Sequence, residues 1–295
     1  MPVSSAPPSE DRRRGVLLAA TGVLILSVDS LLVRLAAVDG FTILFWRGLL
    51  MALSLTVAAW SRDPHGGGLK GLGSPLTWLI GLCFTGSTAA FVLSILLTRV
   101  ANTVVIVSSA PLFAAFFSAW FLRERVPPRT WLAIAGACSG VLIVAWHSLG
   151  AGRLAGDFLA LANALLTGTS MTLFRSHQRV SRSLVLAASG LLLALLVLPW
   201  ARPWVPIENM VVLGIMGLVQ MPLSLVLITD ATRHLPAAEV SLFLLLETLL
   251  APLWAWLALG ESVPTSTLAG GALIVSSLVL HAFISLWGGR RRRKF

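Results

Sequence analysis

Asp29, Arg47 and Glu247 each lie inside an apolar segment, where an ionisable group is costly and needs a partner or a task. Glu247 stands mid-way along its segment, in Leu244-Leu245-Leu246-Glu247-Thr248, with Pro252 five residues on. A carboxylate at that depth can carry a proton or hold a cationic group of a substrate; the plainer reading is a neutral Glu hydrogen-bonded to a neighbouring helix. Asp29 and Arg47 lie on successive segments, each about seven residues from the same face, hence roughly 10 Å deep at 1.5 Å per residue. Matched in depth, they can form an ion pair. Such a pair either fixes the hairpin or takes part in gating or proton coupling.

Polar and helix-breaking residues gather at a similar depth. Gln220 and Pro222 fall mid-way along one segment, and Ser108, Ser109 and Pro111 mid-way along another. Proline frees the carbonyl one turn earlier, and that carbonyl can face a cavity. With Pro252 beside Glu247, these residues predict helix breaks around a central cavity. Asn163 lies at a depth close to that of Asp29 and fits either that cavity or an interhelical hydrogen bond. Cys83 and Cys138 are lone thiols in apolar runs, without the spacing of a metal site or a disulfide framework. No metal and no cofactor are expected.

The elements that must position these residues follow from composition. The chain is 57% hydrophobic and 12% charged, against about 25% charged in soluble domains. Its mean hydropathy is +0.88. It reads as an all-α integral membrane protein. Runs long enough to cross a bilayer are Gly15–Ala36, Phe41–Trp60, Leu76–Leu97, Thr103–Leu122, Thr130–His147, Gly156–Phe174, Leu184–Trp200, Met210–Ile228, Ala237–Leu259 and Thr265–Trp287. The first follows Arg12, Arg13 and Arg14 but is too long for a signal peptide and lacks a small-residue cleavage site, so it reads as a retained helix. Trp46, Trp60, Trp131, Trp200, Trp204 and Trp287 fall at expected interfaces.

Positive charge sets the direction. With the N-terminus inside, seventeen Lys and Arg lie at inner ends and four (Arg34, Arg99, Arg153, Arg202) at outer ends; Arg47 completes the 22. Both termini are then cytoplasmic. The basic run from Arg290 to Lys294 lacks any base-reading module, so topology accounts for it and no nucleic-acid partner is expected.

Leu122, Glu124, Val126 and Pro127 recur as Leu259, Glu261, Val263 and Pro264 at a constant offset of 137 residues. The duplication divides the chain into a tail (1–14), two five-helix repeats (15–149 and 150–287) and a basic tail (288–295). Five passes per half is an odd number, so ten transmembrane helices would form two inverted repeats with a site at their interface. Glu124 and Glu261 then mark equivalent helix ends at opposite faces, where they bind local helix ends or basic neighbours. Gly136 and Gly140 form a small-residue face suited to close packing within the bundle or in a dimer.

These residues resemble the EamA-type members of the drug/metabolite transporter superfamily. The resemblance rests on Pro111 through Leu122-Arg123-Glu124-Arg125-Val126-Pro127, and on Leu246-Glu247-Thr248 through Pro252 to Leu259-Gly260-Glu261. Phe45-Trp46-Arg47 and Gly156-Asp157 add to it. Arg123 departs from the usual Gly before the repeat's Glu. The resemblance implies a cavity between the halves, lined by helices 1, 3, 4, 6, 8 and 9, in a bacterial inner membrane. It implies outward movement of small metabolites such as amino acids, with lipid around a monomer or weak homodimer and protons as a further partner. The competing classes are an intramembrane enzyme and a non-transporting scaffold. A serine protease of the rhomboid kind needs Gly-x-Ser-Gly, and Gly136-Ala137-Cys138-Ser139-Gly140 is one residue too long.

Overall fold

In hydrocarbon every backbone polar group must be satisfied internally, so a spanning chain of this composition has to be helical or close into a barrel. The computed structural model describes residues 9–62, 75–121, 128–149, 153–176, 182–234 and 237–292, and their regular structure is helical. Helices α1 (Ser9–Ser27) and α2 (Asp29–Leu35) run end to end, then α3 (Gly40–Arg62) and α4 (Pro75–Leu97). Another end-to-end pair, α5 (Val100–Val107) and α6 (Ala110–Phe121), precedes α7 (Pro128–Leu149). The second half holds α8 (Leu154–Ser176), α9 (Arg182–Val197), α10 (Ile207–Gly214), a π-helical stretch (Ile215–Gln220), α11 (Met221–His234), α12 (Ala237–Leu259) and α13 (Thr265–Arg292). Among the described residues, five stretches are long and apolar enough to cross a membrane: Arg13–Leu35, Gly40–Ser61, Pro75–Leu97, Val100–Phe121 and Ile207–Ile228. The repeat ending Leu122–Pro127, with Glu124, lies outside the described residues.

Each break in these helices has a local cause. Between α5 and α6, Pro111 cannot donate to the carbonyl of Val107. The serines before it turn their hydroxyls onto their own helix: Ser108 Oγ donates to Val105 O at 2.7 Å and Ser109 Oγ to Ile106 O at 2.6 Å. The π-helical stretch widens the backbone just before Pro222. Across from it, Ser54 Oγ donates to Gly217 O at 3.4 Å. Pro252 corrects an expectation, because α12 runs through it without a break. The missing N–H costs one bond there, which the long apolar helix absorbs. The first helix breaks where no proline stands, at Val28.

The most extensive packing joins the two halves: α3 with α9, α7 with α13, α4 with α8, and α1 with α11. One core cluster gathers Val33, Ile43, Ile95, Leu193, Leu213, Met216 and Ala251, drawing on both halves. Lipid gives helices no hydrophobic drive to associate, so small residues that admit close backbone contact carry the packing. A Cβ on Gly48 would stand 2.5 Å from Gly190 O, and one on Gly190 would stand 2.6 Å from Gly48 O. Gly140 and Gly270 meet in the same way between α7 and α13, so the Gly136/Gly140 face packs within the bundle. The outside is apolar, with Leu132, Leu142 and Trp146 among its exposed residues. Arg47, Asp29, Asn102, Asn163 and Gln220 are buried inside.

Two ends are fixed by short-range chemistry. Asp39 caps α3, its Oδ1 accepting from Thr42 N at 3.0 Å and its Oδ2 from Thr42 Oγ1 at 2.6 Å. Burial alone would push the Asp39 carboxyl up, but these bonds, the Phe41 backbone and the charge of Arg202 hold it below the usual carboxylate range. Gly260 ends α12 at φ +64, a conformation that favours glycine, and so turns Glu261 back toward the bundle.

The glycine contacts give a direct test. Gly48→Leu or Gly190→Leu should destabilise the detergent-solubilised protein by about 1–3 kcal/mol through overpacking. At Gly214 a Cβ would meet nothing within 4 Å, so Gly214→Ala should be accepted with a small gain from helix propensity. Thermal unfolding followed by tryptophan fluorescence reads both.

Candidate functional site

The break at Val28 decides where Asp29 goes. A carboxylate in the middle of a regular helix would share its face with apolar neighbours, whereas here Asp29 opens α2 as a new helix. At the break the Ile25 carbonyl, which also takes a 3.4 Å bond from Val28 N, and the Leu26 carbonyl accept from Gln220 Nε2 at 3.1 and 3.4 Å. Ser27 Oγ donates to Leu24 O at 2.7 Å and accepts from Trp254 Nε1 at 2.9 Å. A side chain from the π-helical stretch and one from α12 thus hold the broken helix open.

Asp29 faces Arg47 of α3. Arg47 Nη1 donates to both carboxylate oxygens, at 2.8 and 3.0 Å. The residues are 2% and 1% exposed, so water screens neither charge. A pair this deep is costly to break, because removing one partner strands the other. Glu247 comes from α12, which packs on both α1 and α2. It lies two turns from Trp254 on the same face of that helix, with Ala251 between them in the core. Asp29 and Arg47 thus form a direct pair, and Glu247 stands on the helix that packs against the one carrying Asp29.

The other expected site residues divide. Gln220 holds the break beside Asp29. Asn163 does not: its Nδ2 donates to Ser87 O at 2.7 Å and Ser87 Oγ at 3.0 Å, clamping α8 to α4. The Ser108 and Ser109 hydroxyls are taken by their own helix. Pro111 is half-buried at the start of α6, and Pro222 is buried beyond the π-helical stretch. Pro252 lines, with Thr248, Leu253 and Trp256, an apolar crevice of about 500 Å³ between α5, α12 and α13. Arg47 Nε, Gln220 Oε1 and Asn163 Oδ1 are buried with no hydrogen-bond partner among the described residues. Each belongs to a residue that bridges two helices.

Asp157 was not expected as a site residue. It is 3% exposed in the first turn of α8. Its Oδ1 accepts from Thr98 Oγ1 at 2.9 Å and Asn102 Nδ2 at 3.4 Å, while Oδ2 is buried without a partner among the described residues. Thr267 of α13 donates to Asn102 Oδ1. This polar chain joins α4, α5, α8 and α13. Gly156 makes room for it, since a Cβ there would stand 2.7 Å from Thr98.

Beside that chain the connections converge on one face. Arg34 Nη2 donates to Thr98 O at 2.7 Å and lies 3.7 Å from Glu261 Oε2. Glu261 Oε1 accepts from Val100 N at 2.9 Å, so it binds both a helix end and a basic neighbour.

The sequence profile of the EamA-like transporter family matches residues 13–146 and again 154–283. The chain belongs to the EamA-like transporter family. It is a multi-pass membrane protein of a transporter family, in the drug/metabolite transporter superfamily. No curated protein matches it in sequence. A solved chain, titled only as the crystal structure of a protein, shares the fold of the transporter at 19% identity and a TM-score of 0.61. That likeness covers 92% of this chain and 98% of the other.

The Asp29–Arg47 pair makes a stability prediction for the transporter. Asp29→Asn or Arg47→Met alone should cost about 3–5 kcal/mol, because each leaves a buried charge uncompensated. Asp29→Leu combined with Arg47→Met should recover most of that loss. A double-variant loss equal to the sum of the two single losses in thermal unfolding would show that the pair is not coupled.

Proposed function

We propose that the protein is a secondary transporter moving small metabolites, amino acids or related compounds, outward by alternating access, with Glu247 at the centre of the site. The observation that carries this reading is the buried Asp29–Arg47 pair beside α12, the helix that carries Glu247 and packs on α2. With the pair balanced, Glu247 is the odd charge. It binds a substrate ammonium or a proton, and exchange between the two couples transport to the proton gradient. Gln220 and Asn163 supply buried amide oxygens near the same interface.

The architecture proposed is ten spans in two inverted repeats. The packing supports it: exchanging the halves turns the α4–α8 contact into the α11–α1 contact and leaves the α3–α9 and α7–α13 contacts in place. The start of α8 lies beside the end of α4, at the face reached by the end of α2, so the second half begins opposite the start of α1. Rocking of the halves about this interface would open the site to each side in turn. Both termini are then cytoplasmic, and the membrane is the bacterial inner membrane.

Counterflow in proteoliposomes tests the reading. A panel of labelled amino acids and related metabolites should show exchange for at least one compound with the intact protein and none with Glu247→Ala. If Glu247 carries the proton, Glu247→Gln should leave a transport rate that no longer varies with pH. An unchanged pH profile in that variant would assign Glu247 to substrate binding alone. Exchange by no compound would contradict the carrier reading.

A further inference from the structure

Arginine is avoided at the outer ends of membrane helices, so where the exceptions gather is informative. The four arginines that the topology assigns to the outer face are Arg34, Arg99, Arg153 and Arg202. Three of them, Arg34, Arg99 and Arg153, line one open cavity of about 590 Å³ with Thr98, Glu261 and Ser262. The fourth is accounted for elsewhere: Arg202 acts on Asp39, and its backbone is bonded to Thr42.

Within the cavity the charges do not balance. Arg34 is offset by Glu261 at 3.7 Å. Among the described residues, Arg99 Nη1 donates only to a neutral carbonyl, Ser262 O, at 3.3 Å. Arg153 has no ion pair among the described residues. Two positive charges are therefore uncompensated at the rim of a polar, water-open cavity. Its lining contrasts with the apolar crevice beside Pro252, which suits a lipid chain. A guanidinium presents a planar fork of donors that matches a carboxylate.

We infer that this outer cavity is a vestibule on the exit path that binds small soluble carboxylates as they leave the inner site, so the substrates bear a carboxylate. The inference rests on the carrier reading for its purpose but not for its measurement. Along α12, Glu247 lies twelve residues from Leu259, which lines the cavity, about 18 Å at 1.5 Å per residue. The vestibule and the inner site are thus successive stations. A zwitterionic amino acid would be met by its carboxylate at the rim and by its ammonium at Glu247. The rim arginines also raise the local concentration of anions, an effect that salt weakens.

The test is equilibrium binding to the detergent-solubilised full chain, read as a shift in thermal unfolding with succinate as probe and sodium chloride at matched ionic strength as reference. Succinate should raise the unfolding temperature above the reference, and putrescine should not. Arg153→Gln, and the double variant Arg99→Gln with Arg153→Gln, should weaken the apparent affinity about tenfold or more, the loss of a charge-assisted contact. Arg202→Gln should leave it unchanged. A succinate shift no larger than the chloride reference would overturn the vestibule, as would full retention in the double variant. So would a shift produced by phosphatidylglycerol and not by succinate, which would make the cavity a lipid headgroup site. Counterflow on the same preparation separates the two claims: exchange without succinate binding sinks the vestibule alone, and succinate binding without exchange sinks the carrier alone.

Discussion

A carboxylate and a guanidinium taken out of water into the middle of this bundle must compensate each other, and the arrangement around the Asp29–Arg47 pair meets that demand. The cost of an unpaired charge there is several kcal/mol, more than most single contacts can offset. The first helix breaks at Val28, so that Asp29 begins a new helix facing α3. The Ile25 and Leu26 carbonyls at the break accept from Gln220 of the second half, and Ser27 is held by Trp254 from α12. A charge requirement in the first half is thus met by side chains of the second.

The same dependence runs through the packing. Glycine pairs bring α3 onto α9 and α7 onto α13, so the largest contacts lie between the halves. An interface of small residues and hydrogen bonds can slide or tilt with less loss than one of interlocked large side chains, because little apolar surface changes solvent in lipid. Four of the buried polar atoms that lack partners among the described residues, Arg47 Nε, Gln220 Oε1, Asn163 Oδ1 and Asp157 Oδ2, belong to residues that bridge helices across the bundle. They mark the places where a second arrangement of the halves, or a bound substrate, has a hydrogen bond to gain.

Part of this was legible in the sequence for simple geometric reasons. Asp29 and Arg47 stand at equal distance from one face on successive helices, and a fixed rise per residue makes their meeting predictable. Glu261 follows an apolar run and precedes a proline, so its use at a helix end could be read as well. The break at Val28 could not, because no proline or glycine marks it and its cause is an amide arriving from Gln220. Pro252 misled in the opposite sense, since a long apolar helix tolerates one missing bond. Asp157 was hidden because an acidic residue in a first helical turn is ordinarily a solvated one. Only the approach of Thr98, allowed by Gly156, buries it. The outer arginines were visible as exceptions to the charge rule, but only the fold shows that three share one cavity.

The central claim is that Asp29, Arg47 and Glu247 act as one charge group in transport. A double-mutant cycle on counterflow rates, with Asp29→Asn, Glu247→Gln and their combination, tests it most directly. Coupled groups are non-additive, so the double variant should lose much less than the product of the two single losses. A double loss equal to that product would show that the two carboxylates act independently, and would contradict the account.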